Sequence, residues 1–103
     1  MTEEARIVEG AAGELKLQGV LDYRTGPALL EAGLKLIRHS TAGSLKLDCS
    51  GVVKSSSVGL SLVLAFIREA RAAKKSLSVR GIPEDMQGIA RVSGLLELLN
   101  PQA

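Results

Sequence analysis

Leu45-Lys46-Leu47-Asp48, running into Cys49-Ser50-Gly51-Val52-Val53-Lys54-Ser55-Ser56-Ser57-Val58-Gly59-Leu60, is the stretch on which the fold turns. Its first four residues alternate apolar and polar, the period of a strand with one buried face. From Leu60 the period changes. Leu60, Val63, Leu64, Ile67 and Ala70 recur at three- and four-residue spacing, which predicts a helix starting near Ser57. Leu62 and Phe66 widen its apolar surface, so this helix is expected to be largely covered, with Ser61, Arg68, Glu69 and Arg71 left for its polar side. Lys74 and Lys75 suit the negative end of its dipole. The segment between, Cys49 to Ser56, reads as a loop.

The same two periods recur on either side. Upstream, Leu29, Leu30, Leu34 and Ile37 share one face of a predicted helix from Gly26 to His39, with Pro27 suited to its first turn. Before it, Leu15 and Leu17 alternate with Glu14, Lys16 and Gln18 between Gly13 and Gly19. Ile7 and Val8 can form a hairpin arm across the Gly10 to Gly13 turn. Downstream, Leu77 and Val79 form a strand before Gly81. Pro83 opens a helix carrying Met86, Ile89, Ala90 and Val92, Gly94 stops it, and Leu95 to Leu99 reads as a closing turn. The order β-β-α-β-α-β-α predicts an α/β domain over residues 1–103: a mixed, mostly parallel sheet with an antiparallel first pair and helices covering it.

Composition removes several function classes. The 13 basic and 11 acidic side chains are scattered, giving a net charge of +2 with no patch suited to nucleic acid. Tyr23 and Phe66 are the only aromatic residues, too few for a base-stacking platform. One cysteine cannot form an internal disulfide, and residues 1–10 lack the basic-then-apolar order of a secretory signal, so the cytoplasm is the expected compartment. The longest apolar run, Leu60 to Ile67, falls far short of the roughly 20 residues that span a bilayer. Any membrane association is expected to pass through a partner.

Chemistry has few places to sit. One His and one Cys, His39 and Cys49, make no metal cluster, and no serine-histidine-acid set can be argued. No glycine-rich phosphate loop is present. Cys49 beside a buried strand reads as a small hydrophobe. Asp22 and Asp48, each following a strand, read as turn or cap residues, and His39 as a helix-end residue. No cofactor or catalytic residue is expected, and the chain does not read as an enzyme. A small lipid or nucleotide held between sheet and helices has only generic apolar surface in its favour.

The exception is Ser55-Ser56-Ser57-Val58-Gly59, where exposed N–H groups meet the positive end of a helix dipole. Ser56 or Ser57 can simply cap the helix. A phosphate on such a serine would also be well placed, making the segment a possible switch. The residues alone do not separate these roles.

In order and spacing the chain resembles the STAS domain, named for sulfate transporters and anti-sigma-factor antagonists. Leu15-Lys16-Leu17-Gln18-Gly19-Val20-Leu21-Asp22 is similar to the family's early strand. Leu47-Asp48-Cys49-Ser50-Gly51-Val52 matches its central strand and turn. Ser56-Ser57-Val58-Gly59-Leu60 matches its helix-start signature, and Gly81-Ile82-Pro83 with Val92-Ser93-Gly94-Leu95 its ending. The resemblance implies that Ser57 is the phosphorylated position of the antagonists, and that Ser55, Ser56, Ser57, Val58 and Gly59 bind a protein partner. Ser56 departs from the pattern, where aspartate is usual. Two functions follow as expectations. One is a cytoplasmic subunit binding the ATPase of a phospholipid-transport ABC transporter of the Mla type, which the missing acid at Ser56 favours. The alternative is an antagonist binding an anti-sigma serine kinase, switched at Ser57.

Overall fold

The computed structural model describes residues 5–11 and 13–99; the remaining residues, including part of the N-terminal segment read against a secretory signal, lie outside this description. The elements are β1 (Arg6–Glu9), β2 (Glu14–Leu21), α1 (Gly26–His39), β3 (Ser44–Ser55), α2 (Ser57–Ala72), β4 (Ser76–Arg80), α3 (Glu84–Val92) and α4 (Leu96–Leu99). They form a four-stranded sheet in the order β1-β2-β3-β4. β1 runs antiparallel to β2, with Ile7 opposite Leu17, while β2, β3 and β4 are parallel.

This order explains which face is covered. Two right-handed crossovers that step in the same direction across a sheet put their helices on the same side. The helix packing agrees, because Phe66 of α2 lies directly against Gly33 of α1. Leu15, Leu17 and Leu21 of β2 are buried beneath the helices, whereas Glu14, Lys16, Gln18 and Val20 are half-buried on the opposite face. That face carries charge in register: Glu14 stands opposite Lys46 and Lys16 opposite Asp48, with Arg80 bonded to Glu14 at 2.6 Å.

The expected loop from Cys49 to Ser56 is corrected. β3 runs through it for 12 residues to Ser55. Its register against β2 slips between Lys16 and Gln18 and again between Gly19 and Val20, each slip inserting an extra residue into β3. Each such bulge shifts the two-residue alternation by one. Leu45, Leu47 and Cys49 face the core, then Val52, then Ser55. A strand whose phase resets twice in seven residues has no periodic signature, which is why this part read as a loop.

Val92 is a second correction. Counted with Met86, Ile89 and Ala90 among the apolar residues that its helix carries, it is 89% exposed. Met86 and Ala90, four residues apart, are the buried residues of α3. Val92, two residues beyond Ala90, falls on the far side of a helix with 3.6 residues per turn. Leu30 and Leu34 of α1 are only half-buried, while Leu29 and Ile37 are fully in the core.

Lysine finishes both long helices. Lys75 Nζ donates to the carbonyls of Ile37 at 2.6 Å and Ser40 at 2.7 Å, satisfying the C-terminal end of α1. Lys74 takes φ 61°, the left-handed turn after α2, and the Lys75 N–H then bonds back to Ala70 O at 2.8 Å. A β-carbon is unfavourable in that conformation and glycine is the usual occupant. Lys74→Gly is therefore expected to raise stability by about 0.5–1 kcal/mol, seen as a higher denaturant midpoint at unchanged slope. A lower midpoint would mean that the Lys74 side chain contributes more than its backbone strain removes.

Candidate functional site

The junction of β3 and α2 is built from five residues with five different jobs. Ser55, at the end of β3, is 6% exposed, and its hydroxyl donates to Ser56 O at 2.8 Å. Ser56 is the N-cap: its Oγ accepts the Val58 N–H at 3.1 Å, and its own N–H donates to Leu21 O at 3.0 Å. Ser57 is the first residue of α2, exposed, and its hydroxyl has no hydrogen-bond partner among the described residues. Val58 is half-buried against α1, and Gly59 is buried. A side chain on Gly59 would overlap Ser55 Oγ and press on Leu21 and Met86. The geometry thus separates roles that the sequence left joined, since Ser56 caps the helix and Ser57 is free.

Val58, which follows Ser57, lines an open hollow of about 430 Å³ between α1 and α2, together with Tyr23, Pro27, Leu30, Leu62 and Ala65. Tyr23 is 77% exposed at its rim, with the Arg24 guanidinium 5.8 Å from its ring centre. Phe66, the other aromatic residue, is wholly buried. Neither Tyr23 nor the hollow was singled out from the sequence, although an aromatic residue outside every apolar period was a usable signal. A second hollow, between β1 and α1, brings Glu9, Glu31, Lys35 and His39 together around Ile7. Among the described residues no group of three or more His, Cys, Asp or Glu converges on one point.

Asp22 is a turn residue, whereas the same expectation for Asp48 is corrected: it lies within β3, paired with Lys16 and Arg80, just before the first bulge. Asp22 Oδ1 accepts the N–H groups of Arg24 at 2.9 Å and Thr25 at 3.2 Å. Desolvation works against its ionisation, but these bonds and the Arg24 guanidinium hold its carboxyl below the usual range. Asp48 Oδ1 accepts the Ser50 N–H at 2.9 Å, and the bonds from Ser50, with Arg80 and Lys16 nearby, likewise lower its pKa. Burial pushes the Cys49 thiol up to about 12, which suits a small hydrophobe and not a nucleophile. His39 is the last residue of α1 and exposed. Among the described residues no helix is long and apolar enough to cross a membrane.

The family model described as "Mlab, STAS domain" matches residues 7–100, nearly the whole chain. The chain belongs to the STAS domain family. No curated protein matches it. Solved structures agree on the fold. The anti-sigma factor antagonist SpoIIAA in its unphosphorylated form is 16% identical, with 90% of this chain and 83% of that one covered and a TM-score of 0.70. An anti-sigma factor antagonist from Mycobacterium paratuberculosis is 19% identical, covering 96% and 84%, with a TM-score of 0.75. The Bacillus cell fate determinant SpoIIAA in its phosphorylated form is 18% identical, covering 89% and 85%, at 0.65. In this STAS domain the helix-start signature lies at the first turn of α2, with Ser56 and Ser57 exposed, and Gly59 is the point at which that turn packs against β2, β3 and α3.

Proposed function

We propose that this STAS domain works in the cytoplasm, as one domain over residues 1–103, by docking onto a protein partner without catalysis of its own. The contact is the Ser55–Gly59 segment with the adjoining hollow. The observation that carries this reading is Ser57: an exposed hydroxyl on a helix N-terminus without a partner among the described residues, followed by Val58, which lines an open apolar hollow with an exposed tyrosine at its rim. An apolar hollow takes an aliphatic side chain well, and tyrosine is a favoured anchor at interfaces. A phosphate on Ser57 would be held by the helix N-terminus yet would place about two negative charges at the rim, which an apolar contact tolerates poorly.

Two partners fit. The structurally similar proteins named above are anti-sigma factor antagonists, and SpoIIAA has both unphosphorylated and phosphorylated forms. They support the antagonist reading, in which unphosphorylated Ser57 binds an anti-sigma serine kinase and the phosphate releases it. The family description supports the other reading, a subunit that binds the ATPase of a Mla-type phospholipid-transport ABC system. Ser56, without the acidic charge usual in the phosphorylated signature, favours it as well.

Affinity purification of the tagged chain, with mass spectrometry of the peptide containing Ser57, tells them apart. A co-purifying serine kinase with phosphate on Ser57 supports the antagonist; an ABC ATPase with its membrane subunit and unmodified Ser57 supports the transport subunit. In either case Ser57→Glu is expected to weaken the partner at least tenfold, about 1.4 kcal/mol, measured by titration calorimetry. If Ser57→Glu binds like wild type while a distant substitution abolishes binding, the contact lies elsewhere.

A further inference from the structure

The parallel ladder between β3 and β4 ends at the pair Asp48 and Arg80, where β4 stops. Beyond it, β3 continues from Cys49 to Ser55 with no strand among the described residues on that side to take its backbone groups. Ser55 is nevertheless buried, and a buried N–H without an acceptor is costly. The acceptor comes from 30 residues away. Asp85, in the first turn of α3, accepts the Ser55 N–H on Oδ2 at 2.9 Å, while its Oδ1 accepts the Met86 N–H at 2.8 Å. With both oxygens engaged, the carboxylate ties the end of β3 to the start of α3.

The constraint passes directly into the site. Ser55 also donates its hydroxyl to Ser56 O, and Ser56 in turn caps α2. Met86, next to Asp85, is buried under the first turn of α2, where its Cε lies 3.2 Å from the place a side chain on Gly59 would occupy. α3 therefore holds the segment both by a charge-assisted bond and by packing.

We propose that Asp85 is the positioning residue of the docking segment: by holding the Ser55 N–H it sets where Ser56 and Ser57 stand when the partner arrives. This rests on the docking function proposed above. A charge-assisted bond to a buried N–H is strong enough that its loss changes an equilibrium by about tenfold or more.

The test uses the full chain, with Asp85→Ala, Asp85→Asn and, as a control for charge on α3, Glu84→Ala. Amide hydrogen exchange at Ser55 is measured without partner, and affinity is measured against the kinase or ABC ATPase that co-purifies with wild type. Asp85→Ala is expected to speed Ser55 exchange about tenfold or more and to weaken the partner by a similar factor. Asp85→Asn keeps one acceptor oxygen but sets an NH2 group against the other N–H, so it is expected to fall between wild type and Asp85→Ala in both readouts, and Glu84→Ala changes neither. Wild-type exchange at Ser55 in Asp85→Ala overturns the proposal. Loosened exchange with unchanged affinity overturns the step from Ser55 to the partner. If Ser57→Glu then also binds normally, the docking surface itself has failed.

Discussion

Gly59→Val is expected to abolish docking and to cost about 3 kcal/mol of stability. The position has no room: a β-carbon there overlaps Ser55 Oγ and sits 3.1 Å from Leu21 Cδ1 and 3.2 Å from Met86 Cε. Those atoms belong to β3, β2 and α3, so no single movement relieves the crowding. If Ser55 turns aside, its hydroxyl leaves Ser56 O and becomes a buried polar group without a partner, at about 1–3 kcal/mol. If α2 moves outward instead, Ser57 moves with it. Chemical denaturation with a partner-binding assay checks both parts. Gly59→Ala should show the same sign at smaller size; an unchanged midpoint in Gly59→Ala would show that Ser55 relaxes freely and that the glycine is not required by packing.

The second large effect lies where α1 crosses α2. Gly33 leaves the α1 backbone bare, and the Phe66 ring fills the space a side chain would take. Phe66 is fully buried, so the ring cannot swing into solvent. Gly33→Ala is expected to destabilise by about 2 kcal/mol or more through overpacking, despite alanine's better helix propensity. Phe66→Ala leaves a cavity and costs about 3–5 kcal/mol. The pair should not be additive. In a Phe66→Leu background, where the clashing ring atoms are gone, Gly33→Ala should cost at least 1 kcal/mol less than in wild type, as a double-mutant cycle would measure. Simple additivity would mean that α1 and α2 separate by backbone movement and not through the ring.

Much of this was legible along the chain because it depends on local period. Leu15 and Leu17, Leu45 and Leu47, and Leu77 and Val79 alternate, and each pair marks a strand of the sheet. Gly26 and His39 bound α1 as expected, and α2 starts at Ser57. The STAS signature could be read from Ser56 to Leu60 for the same reason: its residues are adjacent, and the helix N-terminus that gives them meaning is itself local.

What failed was whatever depended on a neighbour far along the chain. Val92 has the right composition for a buried face, but its angle around α3 is set by Met86 and Ala90, which dock under α2. The bulges in β3 exist only relative to β2, so an isolated strand carries no sign of them. The sequence by itself determined the order of elements, the STAS family and the segment that carries the candidate site, because periodicity, turn residues and caps act over a few residues. Only the tertiary structure decided that the Ser56 N–H is tied to Leu21 O, that Tyr23 borders a hollow lined by Val58 and Leu62, and that Asp85 accepts the Ser55 N–H. Each of these is a meeting of residues from different elements, and such meetings are settled by how the helices and sheet pack around a shared core.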